Sequence, residues 1–323
     1  MSAAVLGFGA VLVAGTAMPY LLPRASLAPM TGAALWLAAL YLRAVLVGLA
    51  ALIAVFYLPA TALFQMLTHW CVHAVLPFLT THLGFSGHGV GDTAALLPGL
   101  VICISATWAA FAVWRAARSM RKWVKRSSLG TGPGESVIVG GEGVVVAAAG
   151  IRSPKVVIST GALTRLDEDE LAASLEHERG HIARRHPYLV LAGNLAHAIA
   201  RPMPGTKDAL QRLQFCLERD ADEYAVDRTR NPIALASAIC KAAFDSPAPS
   251  PALATLAGSG APARLRLLLD RSAARPKAWV EIVGRSLVVA MVAGVLLAVG
   301  MTPTLASAGI ASMHASPPLH SCD

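Results

Sequence analysis

Charged residues are confined to one central part of this chain, and their distribution restricts the possible fold more than any other feature. The sequence of 323 residues has 27 Lys and Arg residues, and 25 of them lie between residues 115 and 285. The same range holds 17 of the 19 Asp and Glu residues. Only 14% of all residues are charged, against about 25% in a soluble domain. The pattern predicts a membrane protein with one hydrophilic domain, and it excludes an ordinary cytosolic enzyme and a disordered protein.

The hydrophobic flanks predict four membrane-spanning helices. A bilayer core about 30 Å thick requires a helix of about 20 mostly apolar residues. Three uncharged stretches reach that length, and a longer fourth stretch is interrupted by Arg43, whose side chain could extend to the interface. The predicted spans are residues 3–22, 33–67, 94–114 and 286–306, with a loop at 68–93 and a short tail at 307–323. The first stretch lacks the basic residues that precede the core of a cleaved signal peptide, so we expect it to be retained.

Basic residues beside the spans predict the orientation of the chain. Lys and Arg accumulate on the cytoplasmic side of membrane proteins, and six of them follow the third span directly while six more precede the fourth. We therefore expect a cytoplasmic domain at 115–285, with both termini and the loop at 68–93 outside. Anionic lipid accounts for the basic clusters, so nucleic-acid binding is not expected. Cys71 and Cys322 would share the external side, and the sequence leaves open whether they form a disulfide.

The hydrophilic domain combines strand and helix patterns, which predicts an α+β fold that is mostly α-helical. Two β-rich runs flank a glycine cluster that is typical of a hairpin turn, and a third run follows. Cap residues, an acidic first turn and apolar periodicity predict three helices. The predicted strands are residues 136–139, 144–148 and 156–159, and the predicted helices are 167–185, 207–227 and 231–244. Residues 246–262, rich in Pro, Ser, Gly and Ala, predict a loop.

The first of these helices contains the sequence His177-Glu178-Arg179-Gly180-His181. Residues four apart lie on the same face of a helix, so both imidazoles can bind one Zn²⁺ ion. Glu178, beside the first ligand, can then act as general base toward the attacking water. A bare HExxH also occurs by chance on solvated helix faces, so a third ligand decides between the two interpretations.

The second predicted helix supplies the best candidate for that third ligand. Glu218 and Asp222 are four residues apart and share one helix face. We expect Glu218 to bind zinc and Asp222 to accept a hydrogen bond from the free N–H of a ligand histidine. Asp220 and Glu223 point elsewhere on the helix and are expected to be solvated.

The remaining histidines are weaker candidates for the metal. His186 lies nine residues after His177, and we expect it at a helix end or beside the ligands rather than on the ion. His197 sits alone in an apolar stretch, so packing is its expected role. A donor for the oxyanion of the reaction cannot be chosen from the sequence among Tyr224, His197 and Arg184.

Two segments of the domain carry a resemblance to a known family. The sequence STGALTRLDEDELAASLEHERGHIARRHP, followed by LERDADEYAVD, resembles the membrane-embedded gluzincin metallopeptidases, in which HExxH is joined by the Glu of an ExxAD motif. The order of spans resembles the BlaR/MecR-type antirepressor peptidases more than their HtpX-type relatives. The resemblance implies that His177, His181 and Glu218 bind one zinc ion per chain and that Glu178 is the catalytic base. A large sensor domain after the last span is missing, so direct β-lactam sensing is not expected.

The resemblance and the predicted topology favour zinc-assisted peptide hydrolysis in signal transduction. A regulatory protease would cut a transcriptional repressor or itself, whereas a quality-control protease of the HtpX type would use the same residues on damaged membrane proteins. A zinc-binding sensor or scaffold without turnover is a third possibility, against which Glu178 argues. The substrate peptide is expected to lie extended along an edge strand, for which residues 156–159 are the candidate. The sequence predicts neither the substrate nor the oligomeric state.

Overall fold

The computed structural model describes residues 27–57, 87–150, 153–245, 260–270 and 277–315, together with Ala17, Tyr20 and Met66. Some predictions lie outside these residues: the first span apart from Ala17 and Tyr20, the loop at 68–86, the linker at 246–259, the tail at 316–323, and Cys71 and Cys322.

The described chain is mostly helical and carries one small sheet, in agreement with the predicted fold class. The helices are α1 (Pro29–Tyr57), α2 (Gly87–Ser127), α3 (Thr160–Arg165), α4 (Glu168–Ala183), α5 (His186–Ile199), α6 (Thr206–Thr229), α7 (Pro232–Asp245), α8 (Ala261–Leu269) and α9 (Ala278–Ala315). The strands are β1 (Ser128–Thr131), β2 (Val137–Val139), β3 (Val146–Ala149) and β4 (Lys155–Ser159). The three helices predicted for the hydrophilic domain are confirmed as α4, α6 and α7, within two residues at each end.

The sheet has the strand order β1-β2-β4-β3, so the predicted hairpin between 136–139 and 144–148 is wrong. Strand β4 lies between β2 and β3, parallel to β2 and antiparallel to β3. The glycines after β2 carry the chain across the end of β4, where the Ser159 hydroxyl donates to the Gly143 carbonyl (2.6 Å) and accepts from the Val145 N–H (3.0 Å). The expectation that residues 156–159 form an edge strand is wrong for the same reason, because β4 is paired on both sides.

Two described helices are long and apolar enough to cross a membrane. They contain the segments Pro29–Ile53 of α1 and Ala278–Thr304 of α9. Helix α2 includes the third predicted span, but its apolar stretch, Gly99–Ala112, is shorter. It begins at Gly87 and runs without interruption through the basic cluster to Ser127.

Helix α1 packs against α6, which carries Glu218. Leu35 and Leu40 of α1 belong to the same buried cluster as Leu213 and Leu217 of α6. The two helices approach closely at Gly32, where a Cβ atom would lie 2.8 Å from the Cys216 Sγ. Helix α1 therefore packs on the side of α6 that faces away from α4 and holds α6 in position.

A second buried cluster holds α4 between the sheet and α7. It joins Val146 and Ile158 of the sheet to Ala173 of α4 and to Leu235 and Ile239 of α7. Helices α4 and α6 are thereby each supported from behind by an apolar layer. Because both are fixed in this way, the polar side chains between them are held in defined positions.

Candidate metal centre

The N-terminus of α4 is fixed by a reciprocal cap. The Asp167 carboxylate accepts a hydrogen bond from the Glu170 N–H (2.8 Å), and the Glu170 carboxylate accepts one from the Asp167 N–H (2.9 Å). Glu170 also accepts hydrogen bonds from Ser237 and Lys241 of α7, both at 2.6 Å. These contacts hold the start of α4 against α7. They thereby determine which face of the HExxH segment lies toward α6.

A glycine within that segment allows α4 and α6 to approach closely. A Cβ atom on Gly180 would lie 3.1 to 3.2 Å from carbon atoms of the Tyr224 side chain on α6. A larger residue would push the two helices apart. The glycine thus keeps His177 and His181 of α4 within reach of α6.

The structure brings together the three residues that the sequence singled out as metal ligands. The Nε2 atoms of His177 and His181 are 3.2 Å apart. The two oxygens of Glu218 lie 3.6 Å from His177 Nε2 and 3.5 Å from His181 Nε2. In a tetrahedral zinc site with bonds of about 2.0–2.1 Å, neighbouring ligand atoms are about 3.3–3.4 Å apart. Each of the three distances is close to that value, and one ligand atom from each residue lies within 4.8 Å of the other two, so the three side chains could hold a metal ion.

Glu178 lies buried beside these residues, with 4% of its surface exposed. Its Oε2 atom accepts a hydrogen bond from the backbone N–H of Ala148 in strand β3, at 2.7 Å. Burial raises the pKa of Glu178 to about 7. One oxygen of this carboxylate is thus fixed by the edge strand of the sheet, and the group exchanges its proton near neutral pH.

Asp222 lies beside His177, and it has a second partner that the sequence did not reveal. Its Oδ1 atom lies 3.0 Å from His177 Nδ1, the ring nitrogen that faces away from the cluster of ligand atoms. The guanidinium of Arg264, from α8, donates to both Asp222 and Glu218. Burial raises the pKa of Glu218, but the charge of Arg264 and the contacts with His177 and His181 together outweigh it and lower the pKa to about 2. Arg264 keeps both carboxylates ionised.

His186 and Asp220 form a second chain of contacts behind the site. His186 Nδ1 lies 2.8 Å from His181 Nδ1, and His186 Nε2 lies 3.0 Å from Asp220 Oδ2. The expectation that Asp220 is solvated is wrong, since 4% of its surface is exposed. The reason is His186, which begins α5 directly after the left-handed turn at Arg185 (φ 56°) and contacts the Asp220 carboxylate. His186 holds its expected place beside a ligand.

Replacing His186 by alanine is expected to weaken zinc binding by about 10–100-fold, because His181 loses the group that fixes its ring. His186→Asn should recover part of the affinity, since its amide can accept from His181 and donate to Asp220. Competition with a chromophoric chelator measures both values. His197→Asn on the same helix is the control and should bind zinc normally. Equal affinity in His186→Ala and wild type would contradict the orienting role.

Metal binding is expected to release protons at neutral pH. Burial disfavours the charged form of His177, but the carboxylates of Asp222 and Glu218, which accept hydrogen bonds from the protonated ring, outweigh it and raise its pKa to about 9. A ligand imidazole must be neutral, so zinc binding at pH 7 should displace about one proton from His177, and affinity should rise about tenfold per pH unit toward pH 9. Calorimetry in buffers of different ionisation enthalpy counts the protons. Binding without proton release would show that His177 is already neutral at pH 7 and would contradict the raised pKa.

The three candidates for an oxyanion donor have other described contacts. Tyr224 packs on Gly180, and the Arg228 guanidinium lies 4.3 Å from its ring centroid. Arg184 Nη1 lies 3.8 Å from Asp220 Oδ1, and His197 is half-buried near the end of α5. None of these described contacts reaches a ligand atom, so the assignment of this donor stays a prediction.

Two histidines, a glutamate and a buried glutamate beside them form an arrangement suited to metal-dependent hydrolysis. Residues 117–209 match the model of peptidase family M48, which supports a gluzincin-type metallopeptidase domain. The match includes the HExxH segment, whereas Glu218, Asp222 and Arg264 lie beyond it. The chain matches no curated protein.

Proposed function

We propose that this chain is a membrane-bound zinc metalloendopeptidase that cuts peptide bonds on the cytoplasmic side. The observation that carries the proposal is that His177, His181 and Glu218 each offer one ligand atom within 4.8 Å of the other two. The family match of residues 117–209 supports the same class of enzyme.

Each polar residue of the site has a separate task in this proposal. His177, His181 and Glu218 hold the zinc ion, which would polarise the scissile carbonyl and lower the pKa of water. Glu178 takes the proton of the attacking water and delivers it to the leaving amine. A pKa of about 7 suits a group that must accept and then donate a proton. Asp222 orients the first imidazole by accepting from its Nδ1–H.

Strand β3 is the proposed docking edge for the substrate. It pairs with β4 on one side, and on its other side the Ala148 N–H points to the Glu178 carboxylate. An extended peptide added to this edge would make main-chain hydrogen bonds and pass directly beside the general base. This geometry favours unfolded or extended segments as substrates.

Four spans with a cytoplasmic domain at 115–285 and external termini complete the proposal. The two apolar helices of sufficient length support it, as do large apolar side chains exposed along α2 and α9, which suit contact with lipid. These side chains are Leu97, Val101, Ile104 and Trp108 of α2 and Val289, Leu296, Leu297 and Met301 of α9. The basic clusters at the cytoplasmic ends of the helices agree with this orientation.

The order of spans favours regulated proteolysis of the BlaR/MecR type, with a transcriptional repressor or the chain itself as substrate. Quality control of membrane proteins is the second candidate, and a zinc-binding scaffold without turnover is the third. The buried Glu178 speaks against the scaffold, because a structural zinc site has no use for a general base beside its ligands.

Comparing peptide termini in cells that express wild type or Glu178→Gln tests the proposal and identifies the substrate. A new terminus that appears only with the wild type, in a cytoplasmic repressor or in the chain itself, supports regulated proteolysis. New termini in many membrane proteins would favour quality control. Identical termini in both cell lines would contradict the protease assignment.

A further inference from the structure

Arg264 lies completely buried in α8, where its guanidinium contacts two carboxylates of another helix. Its Nε and Nη2 atoms donate to the two oxygens of Asp222, at 2.8 and 2.6 Å. Its Nη1 atom donates to Oε2 of Glu218, at 2.7 Å. Glu218 and Asp222 are one turn apart on α6, so a single planar fork spans the face of the helix that carries the third metal ligand.

A buried cation is required here on energetic grounds, but a cation alone does not explain the geometry. Two buried carboxylates repel each other, and an unpaired buried charge costs several kcal/mol. A lysine would supply one charge at one point, whereas a guanidinium donates in a fixed planar pattern and can bind a carboxylate through two atoms. The three short contacts of Arg264 use that pattern, so its role includes fixing the orientation of both acids.

The contacts of Arg264 determine which oxygen of Glu218 remains available. Both oxygens lie near an imidazole, Oε2 at 3.6 Å from His177 Nε2 and Oε1 at 3.5 Å from His181 Nε2. Oε2 is also engaged at 2.7 Å by Arg264, which leaves Oε1 as the oxygen that does not accept from the guanidinium. The same guanidinium holds Oδ1 of Asp222, the atom that lies 3.0 Å from His177 Nδ1. One side chain therefore sets the orientation of two of the three ligand residues.

We propose that Arg264 is a positioning residue that presents Glu218 to the metal through one oxygen and fixes His177 through Asp222. This inference rests on the proposed zinc site. It also means that the site is incomplete without α8. Helix α8 begins about 40 residues after Glu218 and precedes the apolar helix α9 in the chain. The metal affinity of the chain depends on α8 being docked.

The decisive variant is Arg264→Lys, because it keeps the charge and removes the fork. We expect it to remain folded and to bind zinc about 10–100-fold more weakly than the wild type. The visible spectrum of the cobalt-substituted protein should change as well, since the coordination of Glu218 changes. Arg266→Lys is the matched control, because Arg266 is an exposed residue of the same helix and should leave both readouts unchanged.

The outcomes separate this inference from the proposed function. Wild-type affinity and an unchanged cobalt spectrum in Arg264→Lys would overturn the positioning role and leave the zinc site intact. A wild-type chain that binds no zinc would overturn both. If Arg264→Lys does not fold, infrared difference spectra of the wild type with and without zinc still decide, because the proposal requires the carboxylate splitting of one-oxygen coordination. A two-oxygen signature would contradict it.

Discussion

A Glu178→Gln chain is expected to bind zinc like the wild type and to hydrolyse peptides about 10²–10⁴-fold more slowly. Glu178 is not one of the three ligand residues, so its loss leaves the metal affinity unchanged. Glutamine has nearly the same shape, and its amide oxygen can still accept the hydrogen bond from the Ala148 N–H. It cannot take a proton from water, however, so the step that requires a base fails.

The measurement needs purified full-length protein in detergent or lipid, a quenched peptide substrate and a zinc titration of each variant. Glu176→Gln is a suitable control, because Glu176 lies on the same helix and pairs with Arg179 and Arg228 instead of the ligand residues. It should retain activity. Full activity in Glu178→Gln would remove this residue from the mechanism, and loss of zinc together with activity would assign it a structural role.

Glu218→Gln is expected to weaken zinc binding by more than about 100-fold. Loss of a residue that only orients a ligand weakens binding by up to about 100-fold, and Glu218 is proposed as a ligand itself. The substitution replaces an anionic ligand by a neutral amide, which binds zinc poorly. It also leaves Arg264 facing one carboxylate instead of two. Activity at limiting zinc should therefore disappear, and excess zinc should restore only part of it.

Glu223→Gln provides the matched control for this second prediction. Glu223 lies on the same helix with about half of its side chain exposed, at 51%, and its pairing with Arg219 spans 4.0 Å. Because Glu223 is half exposed and its distance to Arg219 is long, water screens this contact, so this variant should bind zinc normally. If Glu218→Gln and Glu223→Gln had the same affinity, Glu218 would not be a ligand and another acid would have to complete the site.

Local signals in the sequence were sufficient for the helices that carry the site. The spacing of His177 and His181 follows from the helical repeat, and Asp167 with its acidic neighbours marks the start of α4. The apolar stripe of Leu213 and Leu217 predicted α6, and both side chains are buried against α1. The strand order was not predictable, because glycines between two strands look the same whether the strands pair or a third strand enters between them.

The supporting residues of the site depend on contacts between distant parts of the chain. Arg264 lies 46 residues after Glu218 and is one of several basic residues before the last span, so nothing in its neighbourhood distinguishes it. Asp220 points away from Glu218 on an isolated helix, and its partner His186 reaches it from the start of α5, directly after the turn at Arg185. Such partners become visible only when the helices are assembled.

Metal content and X-ray absorption of the purified full-length chain test the central claim most directly. The account predicts one zinc ion per chain, bound by two imidazole nitrogens at about 2.0–2.1 Å and by one carboxylate oxygen at about 2.0–2.2 Å. Cysteine sulfur should be absent from the first coordination sphere. A protein that binds no zinc after dialysis against a zinc buffer, or one whose zinc is bound by sulfur, would contradict the account.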